Sequence, residues 1–243
     1  MTIEWWRPTA SMSTPDIYLR TAFVLNEQGR ILSTREPEAS PGPLFSLVRS
    51  KDGCAWAVRA DFPSDLAGEL DRLAREEPPS LGLRAAPVHT DRYLALAKDR
   101  IGAPHEAVVF SGPAFTFPDA LSPPVGLVMI EEERLLERHF RGWVAGEIAG
   151  GRWPVLAVVE RGYPVSVCFC ARRSDTAAEA GVETAEAFRG RGLGPRVTAA
   201  WALAIRATGR VPLYSTAWTN DASLALARKL GLVAYASVWS LLG

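Results

Sequence analysis

The sequence predicts a mixed α/β protein of the α+β type, with a small α/β region over residues 1–123 preceding a second α/β region over residues 124–243. Three observations carry this expectation. Fourteen of the 18 prolines fall before residue 125, a change in composition that places a seam near LSPPVG, residues 121–126. Short alternating or apolar runs bounded by turn residues read as strands on both sides of that seam. Polar-capped stretches with apolar residues every three or four positions read as helices.

In the first region DIYLRTAFVL, RILSTRE, PLFSLVRS and CAWAVRA read as strands of a small sheet. SDLAGELDRLAREE, residues 64–77, is expected to be a helix with Ser64 as its N-cap. Leu66, Leu70 and Leu73 lie along one face, and Pro78-Pro79 stops it. TDRYLALAKDR, residues 90–100, repeats the pattern more weakly. In the second region VGLVMI (125–130) reads as a strand, and EEERLLERHFRGWVAGEIAGG as one or two helices with acidic residues at their start. PVLAVVE and PVSVCFCARR form a hairpin around Arg161-Gly162-Tyr163, and EAGVETA is the next strand. LGPRVTAAWALAIRATG spaces Leu193, Val197, Trp201 and Ile205 by four, with Gly209 as a stop. VPLYSTA is a strand, TNDASLALARKLG a short helix capped by Thr219 or Asn220, and LVAYASVWSLL a last strand. The order is β-α-β-β-β-α-β-α-β.

With 243 residues and 48% hydrophobic content, the chain can bury a sizeable core. Its 27 basic and 27 acidic residues cancel, so no general attraction to nucleic acid or to an anionic membrane is expected, and any anion site must be local. MTIEWWRPTASMSTP lacks the pattern of a signal peptide, and no apolar run reaches the ~20 residues of a membrane span; the expected location is the cytoplasm. Cys54, Cys168 and Cys170 suit a reducing compartment and lack the second Cys/His pair of a zinc site, so no metal is expected. His89, His105 and His139 are scattered and read as surface or packing histidines.

FRGRGLGP, residues 188–195, sits where a strand hands over to a helix. The first N–H groups of a helix lack internal partners and the helix dipole is positive there, so a glycine turn at this point can cradle an anion. Arg189 and Arg191 add charge, and Arg196 stands one turn further on. A tight turn with solvated arginines is the alternative. A Walker loop would need Lys followed by Ser or Thr where Pro195 and Arg196 stand, and a dinucleotide loop would need glycine at Pro195 after a buried strand, where VETAEAF is half polar.

Arg189-x-x-Gly192-x-Gly194 between a strand and a helix, then a strand and TNDASLALARKLGL, resembles the GNAT superfamily of N-acetyltransferases. Asn220, Ser223 and Lys229-Leu230-Gly231-Leu232 match the second motif of that family, and the likeness covers roughly residues 124–243. It implies a GNAT-type acyl-CoA N-acyltransferase fold with a central mixed, splayed sheet. Acetyl-CoA would lie between EAGVETA and VPLYSTA, with the backbone at Val182 and Thr184 pairing with the pantetheine arm. Arg189, Gly190, Arg191, Gly192, Leu193 and Gly194 would take the pyrophosphate, and Asn220 and Ser223 the pantetheine end. The two carboxylates Glu179 and Glu183, four residues apart and on one strand face with Gly181 between them, are the candidate bases for direct attack of an amine on the thioester.

The likeness departs at two places. The family's usual tyrosine position is Ala227, leaving Tyr214, Tyr235, Ser223 or solvent to protonate the thiolate and motivating an alternative reading as a non-catalytic acyl-CoA-binding sensor. Only about a dozen residues follow Gly231, so the sheet edge must be open, covered by the N-terminal region or supplied by a partner subunit in a homodimer. The chain also resembles the bacterial branch of the family with an N-terminal α/β region, which would wall the site for a small-molecule amine or amino-terminal acceptor. Trp5, Trp6, Phe115 and Phe117 are aromatic candidates for that wall, with core packing as the alternative, and EEE at 131–133 could supply an acidic pocket.

Overall fold

The computed structural model describes residues 14–80, 82–101 and 108–243. The first region holds α1 (Thr14–Ala22), β1 (Phe23–Leu25), β2 (Ile31–Thr34), β3 (Phe45–Ser50), β4 (Gly53–Val58), α2 (Ser64–Glu76), α3 (Thr90–Ile101) and β5 (Val108–Thr116). β6 (Val128–Met129), β7 (Leu156–Glu160), β8 (Tyr163–Arg173), β9 (Ala177–Thr184), α4 (Leu193–Ala207), β10 (Val211–Ser215), α5 (Asp221–Lys229) and β11 (Val233–Leu242) follow. β1 and β2 pair as a separate hairpin, and the other nine strands form one sheet in the order β4-β3-β11-β5-β10-β9-β8-β7-β6. Every pair is antiparallel except β9 and β10, which run parallel.

The last strand, β11, finds its partners upstream. It lies between β3, with Trp239 opposite Leu47, and β5, with Trp239 opposite Ser111. The N-terminal region therefore covers the edge that the downstream residues leave open, and one sheet runs through both segments of the sequence.

Alternation along the strands sorts side chains into separate cores. On β11, Trp239 and Leu241 pack with Tyr93 of α3 and Leu70 and Leu73 of α2, while Ala236 and Val238 pack with Tyr18, Leu19 and Ala22 of α1. On β8, Cys168 and Cys170 join Val197, Trp201 and Ile205 of α4, while Val167 and Phe169 face Leu136, Phe140 and Ile148. The expected spacing of α4 thus becomes a buried stripe, each fully buried side chain contributing about 1.5–3 kcal/mol. Phe115 and Phe117 are core residues of the α4 side, and Trp5 and Trp6 lie outside the described residues.

Four local expectations are corrected. DIYLRTAFVL is not a strand throughout: Asp16 to Ala22 belong to α1, because Tyr18, Leu19 and Ala22 share one helical face and Arg20 pairs with Asp16 one turn back at 2.7 Å. Ser64 is the first helical residue of α2 rather than its cap; Pro63 holds the cap position without a side-chain bond. VGLVMI pairs only at Val128–Met129. The segment 131–151 forms a short turn of 3-10 helix at Glu133–Leu135 and a π turn at Ile148–Arg152 instead of regular helices. Gly146 and Gly151 stand at φ 94° and 154° there, and the Glu133 carboxylate accepts from the N–H groups of Gly146 at 2.5 Å and Ile148 at 2.6 Å. Of the EEE run, Glu133 is thus spent on the backbone of this loop and Glu132 on Arg134, 2.6 Å away, while Glu131 is exposed.

One glycine is required by close approach. A Cβ on Gly112 of β5 would fall 1.7 Å from the carbonyl oxygen of Thr216, so the chain leaving β10 crosses β5 where no side chain stands. Gly112→Ala is expected to destabilise by roughly 2–4 kcal/mol in urea unfolding. Gly68→Ala, on the exposed side of α2 with open space around it, should stabilise by up to about 1 kcal/mol.

Candidate functional site

The site begins where the parallel strands part. β10 pairs with β9 only from Val211 opposite Ala177 to Leu213 opposite Glu179, after which β9 continues to Thr184 on β8 alone. β10 turns to β5 instead, with Ser215 opposite Ala114, and the chain then follows that strand. Thr216 N–H donates to Pro113 O at 3.3 Å and Trp218 N–H to Ser111 O at 3.1 Å. Arg84 stacks over the Trp218 ring at 4.5 Å from the outer side. The edge of β9 beyond Glu179 therefore faces a gap, unpaired with β10, where an extended chain can add.

That gap opens into a cavity of about 690 Å³. Val182, Glu183 and Thr184 line it from β9, Arg189 to Pro195 with the exception of Arg191 from the turn into α4, Tyr214 from β10, and Asn220, Ser223, Leu226 and Lys229 from the α5 side. All the residues expected to meet the cofactor except Arg191 border this one space. Arg191 pairs with Glu160 at 2.5 Å and stacks over Phe188 at 5.4 Å. Arg196 donates to Val125 O at 2.8 Å, away from the cavity.

The turn gets its shape from glycine. Gly190 and Gly192 stand at φ 75° and 74°, and Gly192 is the N-cap of α4 with no side chain capping that end. The N–H groups of Leu193 and Gly194 are thus among the helix donors without an intrahelical partner. Gly194 also packs closely, since a Cβ there would come 3.3 Å from Leu226 Cδ1. Arg189 Nε donates to Thr184 O at 3.2 Å, tying the turn back to β9. Asn220 caps α5: its Oδ1 accepts from Ser223 N–H at 3.1 Å.

The two candidate bases part company. Glu179 is buried outside the cavity; it pairs with Arg172 at 2.8 Å and accepts the Ser215 hydroxyl. Tyr18 of α1 borders the same group, and burial, then the Glu179 charge, pushes its phenol up to about 12. Glu183 stands exposed at the cavity, and desolvation raises its carboxyl above the usual value, Arg152 lowering it and Glu147 raising it. Among the three side chains considered as acids, Tyr214 and Ser223 line the cavity and interact with each other. Burial raises the Tyr214 phenol, the Ser223 contact opposing it. The Tyr235 hydroxyl is buried on the Tyr18 side without a hydrogen-bond partner among the described residues, and Ala227 is core.

Sequence reasoning missed His139, Phe140 and Lys229, which also border the cavity. Lys229 was within reach: Ala222, Ala225, Leu226 and Lys229 fall at i, i+3, i+4 and i+7 of α5. His139, edge-on to Phe188 at 5.7 Å, gave no such signal because its segment has no regular period. His105 lies outside the described residues. Among the described residues no group of three or more His, Cys, Asp or Glu is placed to hold a metal, and no helix is long and apolar enough to cross a membrane.

A parted parallel pair, a glycine turn opening one helix and an asparagine cap opening the next thus meet around one cavity. Residues 156–237 match the model of the GNAT acetyltransferase family. Among solved structures, the chain is similar to a Novosphingobium aromaticivorans protein assigned to the GNAT family, at 23% identity and TM-score 0.48 over 57% of this chain and 66% of that one. It is also similar to a GCN5-related N-acetyltransferase-like protein of Streptococcus suis, at 19% identity and TM-score 0.46 over 82% and 84% of the two chains. A GNAT-family acetyltransferase of Colwellia psychrerythraea matches at 14% identity and TM-score 0.48 over 90% and 80%. Among curated proteins none matches the chain.

Replacing Asn220 by Ala removes the α5 cap and is expected to cost about 1 kcal/mol of stability, while Asn220→Asp recovers most of it; urea unfolding of the three proteins checks this.

Proposed function

We propose that the protein transfers an acetyl group from acetyl-CoA to an amine, of a small molecule or of an amino terminus, by direct attack on the thioester. Residues 124–243 carry the chemistry and residues 1–123 support it. The observation that carries this reading is the meeting, in one cavity, of the free β9 edge, the uncapped start of α4, Glu183 and Tyr214.

Each group has a task its position suits. The N–H groups of Leu193 and Gly194, with the Arg189 guanidinium, bind the diphosphate of CoA. The backbone at Val182 and Thr184 pairs with the amides of the pantetheine arm, which orients the thioester along β9. Glu183 takes a proton from the acceptor's ammonium, directly or through water, leaving the free amine that attacks the thioester carbon, and its raised affinity for protons makes it a stronger base than an ordinary carboxylate. Burial keeps the Tyr214 phenol protonated, so it can give its proton to the leaving thiolate, with Ser223 beside it. Glu179, held by Arg172 and Ser215, serves structure.

Titration with CoA should give saturable binding that Arg189→Glu abolishes, and thiol release from acetyl-CoA across an amine library should find an acceptor; CoA binding without any release would overturn the transferase reading. For that acceptor, Glu183→Gln is expected to lower kcat/KM by about 10²–10³ with CoA affinity unchanged. Tyr214→Phe should lower kcat by roughly tenfold or more. Because the base works ionised, kcat/KM should fall as pH drops through the raised titration of the Glu183 carboxyl. The Tyr214 acid works protonated, so its loss should come only above the ordinary tyrosine value.

A further inference from the structure

The face of β9 that carries Glu183 is overlaid by a stacked group that no step above uses. Phe169 of β8 sits opposite Gly181, and its ring leans so far over β9 that a Cβ on Gly181 would lie 2.5 Å from Phe169 Cε2. Gly181 and Glu183 are two residues apart, so both present to that face. On the Phe169 ring lies the guanidinium of Arg152, 4.8 Å from its centroid, with the Trp143 ring 5.5 Å away on another side. Trp143 and Phe169 meet edge to face at 4.9 Å, which closes the group. Arg152 Nη2 donates to Glu147 Oε1 at 3.1 Å, and Glu147 Oε2 accepts from Val144 N–H at 3.2 Å. The two side chains are only 20% and 8% exposed, and Arg152 Nε is buried without a hydrogen-bond partner among the described residues.

A guanidinium supported by two ring faces and one carboxylate has little freedom to move. We propose that Arg152 is a positioning residue for Glu183, the fixed cation beside the base that keeps its carboxylate ionised and turned to the acceptor amine, with Glu147 as the tether that limits how much of that charge Glu183 feels. The inference rests on the reading of Glu183 as the base. The two neighbours act on Glu183 in opposite senses, Arg152 favouring the ionised form and Glu147 opposing it. The other ionisable groups bordering the cavity are His139, Glu186, Arg189, Tyr214 and Lys229. None of them belongs to the stacked group, so they remain in place when it is altered.

The signs follow directly. Without Arg152 the carboxyl of Glu183 holds its proton to higher pH, and without Glu147 it releases it at lower pH. The test is carbon-13 NMR titration of the Glu183 carboxyl, assigned by its disappearance in Glu183→Gln, in the full chain and in Arg152→Gln, Arg152→Lys and Glu147→Gln. Arg152→Gln is expected to move the midpoint up by about one pH unit, Arg152→Lys by less, and Glu147→Gln to move it down. The low-pH limb of kcat/KM should move with it in each protein, while CoA affinity stays within twofold. Thermal unfolding and CoA titration report whether each variant is folded, and Arg152→Lys keeps the question open to measurement if Arg152→Gln fails to fold. A midpoint that stays put, or that moves the same way in the Arg152 and Glu147 variants, overturns the inference and assigns the stack a packing role. Opposite shifts together with undiminished transfer by Glu183→Gln support the coupling and overturn only the reading of Glu183 as base.

Discussion

The grip of β5 on the chain that leaves β10 is the constraint from which the site follows. Two parallel strands left to themselves would go on pairing, because each unpaired backbone group near an apolar interior costs free energy. Here the residues after Leu213 exchange β9 for another partner: Ser215 lies opposite Ala114, and Thr216 and Trp218 donate to Pro113 and Ser111. Gly112 makes room for the crossing, and Arg84 holds Trp218 from outside. β9 keeps its bonds to β8, so the parting costs the sheet little while giving the cavity a free strand edge. Asn220 begins α5 directly after this crossing, and the position of that helix is a consequence of it.

Two carboxylates on one face of one strand show how position along that strand decides chemistry. Glu179 is level with the last paired residue, Leu213, where the sheet is closed and α1 packs behind it. A charge buried there is tolerated because Arg172 and the Ser215 hydroxyl satisfy it. Glu183 stands four residues on, past the parting, exposed at the cavity. Strand periodicity makes the pair equivalent; only the register with β10 separates them.

Much of this was legible in the sequence, and for identifiable reasons. Strands β7 to β10 and helices α4 and α5 show clean periods, glycine or asparagine ends and short connections, so local chemistry and tertiary packing agree. The glycine turn and Asn220 were visible because φ above zero and an uncapped helix start call for particular residues. The segment 131–151 was not, since its glycines and the Glu133 contacts to Gly146 and Ile148 replace a helical period with loop geometry. With it went His139, Phe140 and the Arg152 stack. α1 was misread because a nine-residue helix carries few turns of pattern and ends directly in a strand. The choice between Glu179 and Glu183 depends on a register between distant strands, which no local signal encodes.

The placing of β5 and β3 beside β11 also sets an order of events during synthesis. The hairpins β3–β4, β7–β8 and β8–β9 can form as soon as they emerge, because their partners are neighbours in the chain. The pairs of β11 with β3 and β5, and of β10 with β5, join residues as far apart as Trp239 and Leu47, and must wait until β10 and β11 have themselves left the ribosome. Until then the nascent protein carries β3 and β5 with open, largely apolar edges, the kind of surface on which chains associate wrongly. The strand that opens the cavity in the finished molecule is thus, during its making, the one most in need of shelter.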